Sequence, residues 1–468
     1  MSHAIVWFRA DLRLADNPAL AAALEAGHAV IPVYVLDEET AGIRAFGTAA
    51  RWWLRQSLQA LDAALRSRGS RLVLRRGPAE QVIDELVTQC QADAVYWNRL
   101  YDPASRDRDA RLKQSLLARG VTAHSFKASL LTEPWEARTK AGLPFKVFTP
   151  FWRACRAQAD PGRPLDAPTR LPRPAGSLAG ASIASLLHQK TPSDLAAHWT
   201  PGEASAVDRL ASFLDDDLEA YHRQRDIPAV DATSRLSPHL AFGELSPRQI
   251  WRAVTARRPS PGGEKFLAEI GWREFSYNLL FHVGGLDRHS MRAEFDDLPW
   301  RDQPELIDAW KHGRTGYPIV DAGMRQLLAT GWMHNRVRMI TASFLIKHLL
   351  VDWRIGERWF WNRLVDADPA NNPVGWQWVA GSGADAAPFF RIFNPVLQGE
   401  KFDPAGAYVK RWLPELAHLP PNSTHRPWTA DPPLSQQRYP QPIVDHASAR
   451  QRALDAFAGL RRRPLRSP

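Results

Sequence analysis

The first 130 residues alternate between two hydrophobic periods, and few folds can accommodate that. Ala4–Phe8, Ala29–Leu36, Arg71–Leu74, Ala94–Trp97 and Val121–Phe126 read as short buried strands. Between them lie helical stretches: Pro18–Ala26 behind the capping Asn17, Thr48–Arg66 with apolar residues every three to four positions, Pro78–Gln91 opened by its proline, and Arg106–Arg119 stopped at Gly120. Strands that alternate with helices imply parallel pairing, each crossover placing a helix on one face. The expectation is a doubly wound parallel five-stranded sheet, an α/β domain over residues 1–130. No GxGxxG follows any strand, so the dinucleotide-binding fingerprint is missing from it.

The alternation stops near residue 130. Between Asp160 and Pro201 the chain carries Pro161, Pro164, Pro168, Pro172, Pro174, Pro192 and Pro201, and residues 131–203 read as a long connector over the surface. From 204 to 468 the pattern is helical: Ala204–Gln224, Ser246–Arg257, Lys265–Phe281, Glu305–His312, Val320–Thr330, Met333–Leu349 and Ile355–Leu364 fit a 3.6-residue period. Asp366–Pro395 reads as loop. The tail from Leu419 is Pro-rich, ends RRRPLRSP and reads as solvated. The fold class expected is thus an α/β N-terminal domain followed by an all-α C-terminal domain.

Composition narrows the class further. At 44% apolar and 24% charged, the 468 residues can bury a core, which excludes a disordered or collagen-like chain. No run approaches a membrane-spanning length, and MSHAIVWFRADLRL lacks the features of a signal peptide, so the expected setting is cytoplasmic. With two cysteines there is no disulfide framework or Cys-rich metal site. A net charge of +10 suits a polyanionic partner. Nineteen tryptophans stand beside only 5 Met and 8 Tyr.

HExxH, P-loop and GxSxG patterns are missing, and no metal is expected. Three other features carry chemistry. Thr233-Ser234-Arg235-Leu236-Ser237-Pro238 sets hydroxyls and a guanidinium before a proline-opened helix, a turn suited to phosphate; the plain alternative is an ordinary N-cap. Asp366-Ala-Asp368-Pro-Ala-Asn371-Asn372, followed by Trp376-Gln377-Trp378, offers carboxylates and amides to the edge of a heteroaromatic ring and indoles to its face; the alternative is a turn with two packed indoles. Glu269 with Trp272 (i, i+3) and Asn335 with Met339 (i, i+4) each share a helix face. A carboxylate, amide, indole and thioether suit a planar polar ring. For Met339 alone, core packing is the simpler reading.

At these motifs the sequence resembles the DNA photolyase/cryptochrome family over nearly its whole length. WFRADLRLADNPAL and FKVFTPFWRA resemble the start and end of the family's antenna region. TSRLSPHLAFGELSPRQ, EIGWREF, GRTGYPIVDAGMRQLLATGWMHNRVRMITASFL, DWRIGERWFWNRLVDADPANN, WQW and DAAPFFRIFNPVLQGEKFDPAG resemble its flavin domain.

The resemblance implies an antenna-binding domain over 1–130 and a catalytic domain over 204–468 holding one FAD. By motif position, Tyr221, Thr233, Ser234, Arg235, Leu236 and Ser237 hold its phosphates and ribityl chain; Trp272 and Arg273 lie near it; Asn335, Arg338, Asp366, Asp368 and Asn372 line the isoalloxazine, with an Arg338–Asp366 ion pair. Asn372 is an amide and cannot act as an acid. The implied activity is light-dependent splitting of cyclobutane pyrimidine dimers in UV-damaged DNA. Glu269, Trp272, Asn335, Met339 and Trp378 then meet the dimer, and Arg225, Arg336 and Arg391 the phosphates. Trp376, Trp353 and Trp300 match the family's relay of three indoles. Members acting on (6-4) photoproducts carry a histidine pair where this chain has MHNRVRM. The alternative within the family is a cryptochrome-type flavin photoreceptor that signals without repair. The antenna chromophore expected first is methenyltetrahydrofolate and second a deazaflavin, with no binding residue assigned, and the chain is expected to be a monomer.

Overall fold

Five apolar runs become one sheet in the computed structural model, which describes residues 2–158, 160–174, 178–187, 195–430 and 438–462. Strands β1 (His3–Phe8), β2 (Ala29–Leu36), β3 (Val73–Arg76), β4 (Ala94–Asn98) and β5 (Thr122–Phe126) pair in parallel in the order β3-β2-β1-β4-β5. Every residue of β2 is buried, as expected of a central parallel strand covered on both faces. Pro192 and the end of the RRRPLRSP run lie outside the described residues.

The chain forms two compact units. One comprises Met1–Thr191, Trp199–Tyr221 and Ser234–Gly284; the other comprises Pro192–His198, His222–Thr233 and Gly285–Pro468.

In the first unit the strand order reverses between β1 and β4, the place where doubly wound sheets usually take a ligand. Here the chain's own polar side chains pair with one another. Asn98, ending β4, donates to Asn17 Oδ1 (2.8 Å) and accepts from the Ala19 amide (3.2 Å). Arg9 pairs with Asp109 (2.6 Å), and Arg108 with Asp37 (3.0 Å). The connector departs from expectation by containing a helix, Phe148–Arg156, which buries Phe151 and Trp152. Its apolar residues are bunched, so a search for long periodic stretches passes over it. It packs on the long helix Pro261–Val283, which extends beyond the expected Lys265–Phe281 because Ser260 caps it at the Gly263 amide (3.1 Å). A Cβ on Gly271 would stand 2.5 Å from Trp152, so only glycine allows this approach. The expected helix Ala204–Gln224 is broken into Glu203–Asp216 and Tyr221–Gln224. The carboxylates Asp215, Asp216 and Asp217 oppose the negative end of the helix dipole and mark the break.

The second unit is helical. Its core joins Trp310, Trp353, Trp376, Phe344, Val337 and Met333. Asp321, fully buried, accepts from the Thr315 amide (2.8 Å), Thr315 Oγ1 (2.6 Å), the Gly316 amide (3.0 Å) and Tyr439 Oη (2.6 Å), so one carboxylate gathers a turn and part of the tail. Three expectations are corrected here. Met333–Leu349 is not one α-helix: it begins at Asn335, capped by His334, and passes into a π-turn over Phe344–His348 that buries Lys347 and His348. Asp366–Pro395 is not all loop, for Asn371–Ala380 is helical. Asp368 Oδ1 accepts from the Ala370 (2.8 Å) and Asn371 (2.7 Å) amides and so starts it, and Pro373 falls in the first turn, where a missing N–H costs nothing. Finally, the tail is not simply solvated. It forms the helix His446–Arg462, with Ala449, Ala453 and Leu460 buried.

Candidate functional site

In the first unit the turn before Pro238 holds Arg235 at φ 51°. A left-handed conformation costs a non-glycine residue about 1–2 kcal/mol, and local hydrogen bonds offset it. Ser234 Oγ accepts from the Leu236 amide (3.4 Å), and Arg209 Nε donates to the Ser234 carbonyl (2.8 Å). Leu236 is buried, and Ser237 opens the short helix Ser237–Ala241. The Tyr221 ring stands edge-on to Phe213 (5.5 Å) and Phe266 (5.4 Å).

The helix Pro261–Val283 carries Glu269, Trp272 and Arg273. Glu269 Oε1 lies 3.1 Å from Lys265 Nζ one turn earlier. Trp272 is half-buried and stacks on Phe148, with ring centroids 3.9 Å apart and planes 8° from parallel. Arg273 turns to other partners: it donates to the Ser129 carbonyl (2.7 Å), lies over the Tyr277 ring (4.8 Å) and faces Glu274 (3.6 Å). Burial pushes the Glu274 carboxyl up to about 7, against the pull of Arg273 and of the Thr132 and Leu131 amides.

In the second unit Arg338 Nη2 meets Asp366 Oδ2 at 2.8 Å, while Arg338 Nε donates to the Met333 carbonyl (2.7 Å). The expected ion pair therefore exists. Asn372 Nδ2 donates to Glu357 Oε1 (2.7 Å) and to the Glu357 backbone carbonyl (3.2 Å). A backbone carbonyl can only accept, so the NH2 side of the amide must face Glu357. Oδ1 is thereby turned to the opposite side as an acceptor, the group that the N–H of a reduced flavin requires. With the arginine–carboxylate pair, this donor and acceptor set fits FAD. Asp368 Oδ1 caps the helix Asn371–Ala380. Asn335 is exposed, with its Nδ2 4.0 Å from Met339 Sδ. Among the described residues no three His, Cys, Asp or Glu side chains gather as metal ligands would.

Trp376 and Trp353 are buried and Trp300 half-buried. Trp376 packs edge-on to Phe360 (5.0 Å) and Trp310 (6.2 Å). Its ring also rests on Gly356, one helical turn along from Trp353, and a Cβ on that glycine would lie 2.5 Å from Cζ3. Trp353 Nε1 donates to Ser290 Oγ (3.3 Å). Trp378 is partly buried against the same core.

Of the three arginines read as phosphate contacts, two share one carboxylate. Asp226 lies 2.8 Å from Arg336 and 3.7 Å from Arg225. Arg391 is exposed, and its carbonyl accepts from the buried Lys347 (3.0 Å). Neighbouring His334 is held down at about 4 by burial, with Arg225, Arg336 and Arg338 adding to the effect and Asp226 opposing it. It is neutral at physiological pH and accepts the Arg336 amide at Nδ1 (3.2 Å). Cationic charge here therefore comes from the arginines.

Sequence reasoning missed Glu357, Asp226 and Phe148 as parts of these arrangements. Glu357 and Phe148 lie inside quoted family motifs but carry no role on their own letters.

Residues 4–174 match the family model described as DNA photolyase, and residues 266–459 match that described as the FAD binding domain of DNA photolyase. The deoxyribodipyrimidine photo-lyase of Agrobacterium fabrum is 50% identical over 472 residues, covering 98% of each chain. Cryptochrome-1 of Arabidopsis thaliana is 39% identical, covering 97% of this chain and 70% of that one. The crystal structure of a bacterial class III photolyase from Agrobacterium tumefaciens superposes with a TM-score of 0.96 at 48% identity, covering 99% of this chain and 98% of that one.

Proposed function

Because this chain belongs to the DNA photolyase/cryptochrome family, we propose that it is a deoxyribodipyrimidine photo-lyase, a light-dependent repair enzyme for cyclobutane pyrimidine dimers. The observation that carries this reading is end-to-end agreement with an enzyme of that name at half of all positions. The signalling alternative finds less support, since the cryptochrome relative is the more distant.

Bound in reduced form, FAD supplies the light-excited electron that opens the cyclobutane ring of a flipped-out dimer. The protein's tasks are binding, orientation and water exclusion. Arg338, paired with Asp366, would hold its guanidinium beside the isoalloxazine, and Asn372 would offer Oδ1 as an acceptor to a flavin N–H. The turn Thr233–Ser237, with Tyr221, carries the phosphates and ribityl chain. Arg273 lies near the cofactor, and Asn335 and Asp368 join the residues that line the isoalloxazine. Withdrawing a dimer from the stack costs a few kcal/mol, which damaged bases partly spare because they pair poorly. Trp272 and Trp378 supply stacking faces for the dimer, Asn335 and Met339 contact it, and Glu269 hydrogen-bonds the pyrimidine edge. Arg225, Arg336 and Arg391 meet phosphates, which position the duplex without reading its sequence. Trp376, Trp353 and Trp300 relay oxidising equivalents outward so that light can reduce the cofactor.

Residues 1–130 serve an antenna chromophore, methenyltetrahydrofolate before a deazaflavin, with 131–203 as connector and 204–468 as catalytic domain. The enzyme acts as a cytoplasmic monomer; among the described residues no helix is long and apolar enough to cross a membrane. The test is illumination of dimer-containing DNA with the reduced protein, following absorbance recovery. Light-dependent loss of dimers is expected. No loss would remove the repair reading, and the native absorption spectrum decides the antenna.

A further inference from the structure

Trp272 is more tightly constrained than a wall residue needs to be. Aromatic pairs prefer offset or edge-to-face packing with centroids about 4.5–7 Å apart. Phe148 and Trp272 instead lie nearly face to face, 3.9 Å apart and 8° from parallel. The surrounding helices impose that arrangement. Phe148, Phe151 and Trp152 fall at i, i+3 and i+4 on the helix Phe148–Arg156, so they share one face. That face meets Gly271, Trp272 and Phe275 on the helix Pro261–Val283. Trp152 occupies the space a Cβ on Gly271 would need. Phe151 packs on Phe275 at 5.2 Å, and Phe275 stands edge-on to both Phe148 (6.1 Å) and Trp272 (5.9 Å). Trp152 and Phe151 thus tie the helix that carries Phe148 to the helix that carries Trp272.

We propose that Phe148 is a positioning residue for lesion recognition: it covers one face of the Trp272 indole and fixes the ring plane, so that a dimer base can stack only on the opposite face. The proposal rests on the repair reading above, which makes Trp272 a stacking wall. An indole free to rotate would lose part of its stacking energy to ordering each time a base arrives; a pre-set indole does not. Phe148 touches no reacting atom and acts through Trp272 alone.

The test uses the FAD-loaded full chain as wild type, Phe148→Leu and Phe148→Tyr. Leucine keeps most of the volume and loses the flat face; tyrosine keeps both. Affinity for a dimer-containing oligonucleotide and for the same oligonucleotide undamaged is measured at one salt concentration, together with flavin content and thermal transition. Phe148→Leu should lose about 2- to 10-fold in dimer affinity, the range of one side chain that must be ordered on binding. Its undamaged-DNA affinity and flavin content should match wild type, its thermal transition should drop only by what one lost aromatic pair contributes, and Phe148→Tyr should restore both the transition and dimer affinity. Unchanged or tighter dimer binding in Phe148→Leu would overturn the proposal, as would an equal loss on damaged and undamaged DNA. If the wild type itself neither prefers nor repairs dimers, the repair reading fails; if it does both and Phe148→Leu equals it, only the role of Phe148 fails.

Discussion

Trp376 rests against Gly356, at a spot where even a methyl group would overlap the indole. Gly356 lies three residues beyond Trp353 on the same helix, so the approach brings Trp376 onto the helix that carries the second proposed relay indole. Gly356→Ala should force the ring or the helix aside. Overpacking of this kind costs about 1–3 kcal/mol, and the displaced indole should slow light-driven reduction of the flavin. Thermal unfolding and the photoreduction rate under steady illumination measure both. A variant as stable and as readily photoreduced as wild type would show that this contact does not set the position of Trp376.

Glu269 shares a helix face with Trp272 and pairs with Lys265 across one turn. An ion pair this exposed contributes little to stability, so Glu269→Ala should leave the fold and the bound FAD intact. In repair the same carboxylate is proposed to accept a hydrogen bond at the pyrimidine edge and so hold the dimer for electron transfer, and a hydrogen bond to a charged group is worth about 1.5–3 kcal/mol. The quantum yield of repair should therefore fall several-fold at unchanged flavin content. A normal yield would remove Glu269 from the role assigned to it.

Glu274 sets a pH dependence of stability. Its carboxyl is raised from the usual value of 4.5 to about 7 by burial. The folded state then binds a proton that the unfolded chain has released, so stability should fall as pH rises from about 4.5 to 7 and level off above. The span corresponds to something on the order of 3 kcal/mol. Glu274→Gln keeps an acceptor for the Leu131 and Thr132 amides (2.8 and 3.1 Å) without a charge to desolvate. It should flatten this part of the profile and raise the transition temperature at pH 8. Parallel pH–stability curves for the two proteins would refute the assignment.

The elements most legible in the sequence were those whose pattern is strictly local. β2 and the helix Thr48–Arg66 fall within the expected bounds because a fully buried strand and a long amphipathic helix leave a complete trace in residue type. Asn371–Ala380 did not, since Asn, Pro and Gly read as breakers; its start depends on where Asp368 aims its carboxylate. His446–Arg462 was hidden because its stripe of alanines is small and diluted by arginine and glutamine. The Arg338–Asp366 pair was foreseen from family motifs. Glu357, Asp226 and Phe148 were not, because what each does depends on a neighbour distant in sequence: Asn372, Arg336 and Trp272.

Asp226 tempers the cationic surface proposed to meet DNA. It lies within reach of Arg336 (2.8 Å) and Arg225 (3.7 Å), so two guanidiniums share one carboxylate and present a net single charge. A phosphate approaching them must compete with Asp226 for the same donors and also bear its repulsion. Asp226→Asn should tighten binding to undamaged duplex by about 2- to 5-fold, the scale of a half-exposed ion pair. It should also steepen the salt dependence, because each further phosphate neutralised adds about 0.9 to the slope of log K against log salt. Arg336→Ala should do the reverse. His334 cannot mimic the effect: Asp226 is the group that raises its pKa, already about 4, so removing Asp226 only makes the imidazole harder to charge. Binding isotherms over a series of salt concentrations distinguish the outcomes. Weaker binding by Asp226→Asn with an unchanged slope would mean that Asp226 orders the arginines for DNA instead of competing with it.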